Sequence, residues 1–213
     1  MKKPQGLKIA VFASGRGSNF VAILQAIERG EIPGAAIVIV ISNNSSAGAL
    51  QLARDHNIAA VHISCKQYAS DEDFTKALQS LLHEHGVNFI VLAGYMKKIY
   101  PRIIKEYQNR IINIHPALLP AFGGEGMYGR YVHEAVLAAK TAVTGATVHL
   151  VDNEYDHGAI VLQRSIPVAC DDTPESLAKK VLRIEHELYP EVLKLFAAGR
   201  VEINGRQVFI IGA

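Results

Sequence analysis

The sequence predicts an α/β fold: a mostly parallel, Rossmann-like sheet with helices on both faces. Short apolar, β-branched runs alternate with segments whose apolar residues recur at helical spacing. The first apolar run leads into a glycine-rich turn at 14–19 and then into a helical segment, the arrangement of nucleotide-binding α/β folds. The 213 residues are 49% hydrophobic and 20% charged. This length and globular composition predict one domain over residues 1–213.

The first half of the chain alternates predicted strands and helices. Phe20, Ile23 and Ile27 fall on one helical face, and Gly30 ends that helix. The run 36–41 is continuously apolar, as in a strand that is covered on both faces. The predicted order is strand 7–13, helix 20–29, strand 36–41, helix 47–56, strand 60–63, helix 71–83, strand 89–93, helix 103–107 and strand 110–114.

The second half predicts hairpins in place of strand–helix repeats. Strands 143–151 and 159–168 are joined by the polar turn 152–158, and a second small hairpin spans 201–211. The glycine-rich segment 121–129 predicts a mobile loop, and a helix follows at 131–139. Pro174 opens a long helix, with Thr173 as its N-cap.

Composition argues against several classes of protein. A formal net charge of +2 is too balanced for a protein that grips nucleic acid through its phosphates. Two cysteines form no disulfide framework, and no apolar run approaches the roughly 18 residues of a membrane span. The N-terminus lacks a cleavage site, so we expect a cytoplasmic protein without a leader. His83 and His85 do not share a helical face, and no metal site is expected.

The turn at 15–19 is the first candidate site. Its glycines present backbone N–H groups at the positive end of a helix, where phosphate binds. It differs from a dinucleotide fingerprint, because Phe20 replaces the third glycine and no acidic residue follows the second strand. A phosphate monoester therefore fits better than a dinucleotide, and a plain glycine-rich connection is the alternative.

The second and third candidates are polar residues that follow buried strands. Asn113 and His115 lie two apart on a strand, so both face one side at the carboxyl end of the sheet. An amide beside an imidazole suits acyl-group chemistry, whereas the alternative is a histidine that caps the turn before Pro116. Asp156 lies in an acidic turn, where a carboxylate beside an imidazole would raise the pKa of that imidazole. Solvated turns are also commonly acidic.

Four segments together resemble the folate-dependent formyltransferases. They are the turn at 14–19, Leu-Ala-Gly-Tyr-Met at 92–96, Asn-Ile-His-Pro-Ala-Leu-Leu-Pro at 113–120, and Asp-His-Gly at 156–158. The resemblance runs from about Lys8 to the pair at 185–186 and beyond, and it implies a single formyltransferase domain. Within the family, the short length and the Gly-x-Gly-Ser-Asn turn are similar to members that formylate glycinamide ribonucleotide in purine synthesis.

The resemblance also implies roles for individual residues. Asn113 and His115 would be catalytic, and Asp156 would raise the pKa of His115. The substrate phosphate would bind Gly17, Ser18 and Asn19, and its amine end would bind Glu185. The folate site would comprise Met96, Lys97, Lys98, Ile99 and Asn113, with the backbone of 152–156 at the pterin. This chain has two lysines where the family often has one arginine after the methionine, and His157 where a second glycine is common.

The implied reaction uses 10-formyltetrahydrofolate as a co-substrate, without a tightly bound cofactor or metal. The implied partners are this folate and glycinamide ribonucleotide, not nucleic acid or a membrane, and a homodimer stays open. The alternatives are a formyltetrahydrofolate hydrolase, a methionyl-tRNA formyltransferase-like domain and a non-catalytic nucleotide-binding module. The first two normally carry an extra N-terminal or C-terminal domain, which we do not expect here.

Overall fold

The computed structural model describes residues 6–212, so the predicted absence of a leader and the outermost ends of the predicted domain lie outside the described residues. The strands are β1 Leu7–Phe12, β2 Ala35–Ser42, β3 Ala59–His62, β4 Phe89–Leu92, β5 Ile111–His115, β6 Val143–Leu150, β7 Ile160–Pro167, β8 Val201–Asn204 and β9 Gln207–Ile210. The helices are α1 Ser18–Glu28, α2 Gly48–Asp55, α3 Asp71–Glu84, α4 Pro101–Glu106, α5 Arg130–Ala138 and α6 Pro174–Ala197, with a 3-10 turn at Cys65–Gln67.

Seven strands form one sheet in the order β3-β2-β1-β4-β5-β6-β7, and β8 and β9 form a separate hairpin. The pairs from β3 through β5 are parallel, whereas β6 and β7 are antiparallel to their neighbours. The predicted fold class is thereby confirmed, including the hairpin character of the second half.

Alternation along the strands divides the core between the two faces of the sheet. In β1, Ile9 and Val11 pack in the layer with α1, α2, α5 and α6, whereas Ala10 and Phe12 pack with α3 and α4. Successive side chains of a strand point to opposite faces, and each face here is covered by helices. The sheet therefore has no solvated face at its centre, as its continuous apolar runs predict.

The predicted elements recur with boundaries shifted by one or two residues. Helix α1 begins at Ser18 because Gly17 takes a left-handed φ of 83° at the N-cap. Helix α4 begins at Pro101, since proline suits the first helical position. The predicted N-cap of α6 is confirmed, because the Thr173 hydroxyl accepts a hydrogen bond from the Ser176 N–H.

Two features of the fold bring distant segments to one edge of the sheet. The carboxyl ends of β1, β4 and β5 meet there, and β6 pairs with β5 so that Asn113 is opposite His149. Helix α6 is tied to the same edge because the Tyr189 hydroxyl donates to the Leu92 carbonyl at 2.8 Å. Glu185, one turn earlier on α6, is thereby held beside the ends of β4 and β5.

Candidate active site

A cleft of about 500 Å³ opens at the carboxyl ends of β4 and β5. The predicted site residues that line it are Asn19, Met96, Lys97, Lys98, Ile99, Asn113, His115, Asp156 and Glu185. Gly17 and Ser18 are not among its lining residues; Ser18 instead borders a depression of about 420 Å³ beside Arg16 and His186. The cleft therefore collects most of the predicted site, and the glycine-rich turn at 14–19 reaches it through Asn19.

His115 and Asp156 face each other in the cleft. The Nδ1 atom of His115 lies 3.4 Å from Oδ2 of Asp156, and Nε2 donates to the Phe122 carbonyl at 2.8 Å. Burial lowers the pKa of His115, which is only 3% exposed, and this outweighs the opposing attraction of Asp156. The expectation that Asp156 raises this pKa is correct for its own contribution, but the pKa lies below the ordinary value. The resting imidazole is neutral, with Nδ1 towards the carboxylate.

Asp156 is held in position by the glycine-rich loop and by its own backbone. Its Oδ2 accepts a hydrogen bond of 3.0 Å from the Gly124 N–H, and its φ is 53°. Burial raises the pKa of Asp156, but contacts with His149, His115 and the Gly124 N–H outweigh burial and lower it below the ordinary value. Burial thus favours the neutral form of His115, whereas these contacts favour the carboxylate form of Asp156.

His149 is a buried site residue that the sequence reasoning missed. Its Nδ1 donates to the Leu150 carbonyl at 2.8 Å, and its Nε2 lies 3.1 Å from the Asn113 amide nitrogen and 3.5 Å from Oδ1 of Asp156. The Asn113 amide nitrogen also lies 3.4 Å from Asp156 Oδ1. The available signal was the antiparallel hairpin that carries His149, but the register that sets it opposite Asn113 is not readable from the sequence.

Asn19 and Glu185 form a second buried pair at the cleft. The Asn19 amide donates to Glu185 Oε2 at 2.6 Å, which links the first turn of α1 to α6. Burial raises the pKa of Glu185 to about 7, and the Asn19 hydrogen bond opposes this only partly. Among the described residues, the buried Oδ1 of Asn19 has no hydrogen-bond partner. This pair connects the glycine-rich turn at 14–19 to Glu185 in the cleft.

The glycine-rich turn at 14–19 packs closely on neighbouring segments and leads into the start of α1. A Cβ at Gly17 would lie 2.8 Å from that of Ala49, so the turn packs closely on α2. Ser14 Oγ accepts from the Met96 N–H at 2.8 Å, which ties the turn to the segment after β4. The first N–H groups of any helix lack partners within the helix. Those of Ser18 and Asn19 are therefore suited to an anion.

Lysine and tyrosine side chains form the outer part of the cleft. The Nζ atom of Lys98 lies 5.2 Å from the centre of the Tyr155 ring, a cation–π distance. Lys97, Lys98 and Ile99 also border an adjoining cavity of about 550 Å³. The outer cleft therefore combines positive charge with an aromatic surface, which suits an anionic ligand with planar rings.

Residues 7–193 match the family model described as formyl transferase. The chain belongs to the formyl transferase family. This formyl transferase is 42% identical over 201 residues to the chloroplastic phosphoribosylglycinamide formyltransferase of Arabidopsis thaliana, covering 94% of this chain and 68% of the relative. It is 36% identical to the phosphoribosylglycinamide formyltransferase of Haemophilus influenzae, covering 96% and 94% of the two chains. The predicted resemblance is thus confirmed.

A solved structure agrees with these relatives. Glycinamide ribonucleotide transformylase 1 from Symbiobacterium toebii superposes with a TM-score of 0.90 at 39% identity, covering 97% of this formyl transferase and 94% of that chain. Over residues 6–212, no helix is both long and apolar enough to cross a membrane. The same residues include no cluster of three or more histidine, cysteine or acidic side chains that could hold a metal.

Proposed function

We propose that this formyl transferase moves the formyl group of 10-formyltetrahydrofolate to the amine of glycinamide ribonucleotide, in purine biosynthesis. One observation carries the proposal: the Asp156 carboxylate lies 3.4 Å from the His115 imidazole and 3.4 Å from the Asn113 amide. All three side chains line the cleft that Glu185 also lines. An amide donor, a neutral imidazole and an ionised carboxylate are the groups that formyl transfer to an amine requires. The names of the relatives support the same reaction.

In this proposal, the ribonucleotide spans from the start of α1 to the catalytic group. The backbone N–H groups of Gly17, Ser18 and Asn19 bind the phosphate at the positive end of α1. Glu185 binds the amine end, and its ionised form accepts hydrogen bonds from the N–H groups of the neutral amine. The bond between Asn19 and Glu185 couples the two ends of the substrate site.

The folate occupies the outer cleft in this proposal. The segment Met96, Lys97, Lys98 and Ile99 borders one side, and the backbone of 152–156 receives the pterin ring. The ammonium groups of the lysines match the carboxylates of the folate. Tyr155 adds an aromatic surface beside Lys98, which suits a planar ring.

The proposed mechanism starts from a neutral His115 imidazole beside the Asp156 carboxylate. The amine attacks the formyl carbon, and the proton that it loses passes to Nδ1 of neutral His115. Asp156 then stabilises the imidazolium. The Asn113 amide turns from its long 3.4 Å contact with Asp156 to donate to the oxyanion, which the charge of the imidazolium also stabilises. As the tetrahedral intermediate collapses, the proton passes to N10 and tetrahydrofolate leaves. No metal is needed in these steps, and holding both substrates in line supplies much of the rate.

The deciding experiment supplies 10-formyltetrahydrofolate with and without glycinamide ribonucleotide and follows release of tetrahydrofolate. Release that requires the ribonucleotide supports the proposal. Release with water alone favours a formyltetrahydrofolate hydrolase, and transfer to methionyl-tRNA favours that class of enzyme. Folate binding without release favours a non-catalytic nucleotide-binding module.

The wider expectations from the sequence also stay proposals. We propose that residues 1–213 form one formyltransferase domain, which is supported by the family match over 7–193 and by the packing of α6 on the main sheet. A cytoplasmic location stays a prediction, and whether the protein forms a homodimer stays open.

A further inference from the structure

The loop between β6 and β7, which carries Asp156, contacts the hairpin β8–β9. Arg206 lies in the hairpin turn, and its Nη2 donates to the His157 carbonyl at 2.6 Å. Its Nη1 lies 2.6 Å from Nε2 and 3.0 Å from Nδ1 of the His157 imidazole, and the same Nδ1 lies 3.0 Å from Asp152 Oδ2. Arg206, His157 and Asp152 therefore form a chain of polar contacts, here called the clasp, on the loop that borders the cleft.

The hairpin is itself fixed to the body of the protein. Ile203, Val208 and Ile210 pack against the main hydrophobic core. Arg200, at the base of the hairpin, donates to the Ile211 carbonyl at 2.8 Å. The turn is short, with Gly205 at a φ of 60°. Arg206 therefore extends from a backbone turn that is fixed to the core of the protein.

The loop between β6 and β7 needs contacts from outside because its backbone conformation is energetically unfavourable. Asp156 is not glycine yet has a left-handed φ of 53°, which costs about 1 kcal/mol or more. Gly158 packs so closely on the Leu150 carbonyl oxygen that a Cβ would overlap it. Within the loop, Asp152 Oδ1 accepts from the Glu154 N–H at 2.9 Å. The clasp adds a link from outside the loop, next to Asp156 in sequence.

We propose that Arg206 is a positioning residue: through the clasp, the C-terminal hairpin holds the loop so that the Asp156 carboxylate faces His115 and the loop backbone stays shaped for the pterin. The kinetic part of the test of this proposal rests on the function proposed above. Arg206 is absent from the residues that line the cleft, so it acts through His157.

The test compares Arg206→Ala and Arg206→Lys with Arg54→Ala, a control on the exposed face of α2. For Arg206→Ala we expect the KM for 10-formyltetrahydrofolate to rise roughly tenfold, because the loop backbone is no longer held in shape for the pterin. We expect kcat to fall roughly tenfold as well, because the Asp156 carboxylate is displaced from His115. The KM for glycinamide ribonucleotide is expected to stay within about twofold, because the glycine-rich turn at 14–19 and Glu185 lie outside the clasp. Arg206→Lys is expected to recover part of the loss, because an ammonium still reaches the carbonyl.

A second readout does not depend on turnover. NMR titration of the His115 imidazole in the free protein is expected to give a lower pKa in Arg206→Ala, because a displaced Asp156 no longer favours the charged ring. If the wild type proves inactive in formyl transfer, the function proposal fails while this titration still tests the clasp. A His115 pKa equal to that of the wild type would overturn the clasp proposal, as would equal increases in both KM values.

The variant His157→Gly separates the two halves of the clasp. It removes the imidazole and keeps the backbone carbonyl that Arg206 binds. We expect a smaller rise in the folate KM than in Arg206→Ala, because the 2.6 Å bond to the carbonyl remains. If Arg206→Ala does not fold, its thermal unfolding will show no melting transition. Arg206→Lys then provides the comparison with the wild type. An unchanged folate KM in both arginine variants also contradicts the proposal.

Discussion

Nδ1 of His115 lies 3.4 Å from Oδ2 of Asp156, with the opposite ring nitrogen bonded to the Phe122 carbonyl. This arrangement fixes where a proton can go. The carbonyl requires a hydrogen on Nε2, so a second proton can bind only at Nδ1, beside the carboxylate. A proton that His115 accepts is therefore stabilised by Asp156, although burial keeps the resting ring neutral.

Replacing Asn113 by alanine is expected to lower kcat roughly 100-fold or more, because one oxyanion donor typically contributes about 3 kcal/mol to the transition state. Steady-state kinetics at saturating substrates measure this loss. Gln51→Ala, which removes an exposed amide on α2, is the matched control. Near-normal turnover of the Asn113 variant would refute its role.

Replacing His115 by alanine is expected to lower kcat more than the Asn113 change does. The variant loses both the proton acceptor and the positive charge beside the oxyanion. Single-turnover kinetics measure the chemical step directly, and His56→Ala, at the exposed end of α2, is the control. A loss smaller than that of Asn113→Ala would contradict the proposed proton transfer.

The pH profile of kcat is expected to fall on its acid side as His115 becomes protonated, at a pKa below the ordinary 6.5. The neutral ring is the proton acceptor, so activity is present above this pKa and lost below it. In Asp156→Asn the charged ring loses its partner, and the acid limb is expected to move to still lower pH as the maximum rate falls. A parallel profile of Glu185→Gln separates the titration of Glu185, whose pKa is about 7, from that of His115. An acid limb that moves to higher pH would exclude this assignment.

Glu185 is expected to make the folded protein less stable as pH rises. Its folded pKa of about 7 exceeds the unfolded 4.5, so the folded state binds the extra proton in this window. The free energy of unfolding is therefore highest below about pH 4.5 for this group and falls by about 3 kcal/mol up to about pH 7. Urea unfolding of Glu185→Gln at pH 5 and pH 8 is expected to lack this difference. The control Glu84→Gln, at an exposed position, is expected to keep the wild-type difference between the two pH values. If Glu185→Gln also keeps this difference in the free energy of unfolding, Glu185 is not a buried, protonated group at pH 5.

Local patterns in the sequence determined the strands and helices, the glycine turn before α1 and the shared orientation of Asn113 and His115. These follow from residue periodicity and turn chemistry, which act over a few neighbours. Only the tertiary structure decided that His149 is opposite Asn113, since β5 and β6 pair across a long connection. It also decided that Gly17 and Ser18 lie outside the main cleft and that burial lowers the pKa of His115. Strand register and desolvation depend on the whole packed chain, and no local pattern encodes them.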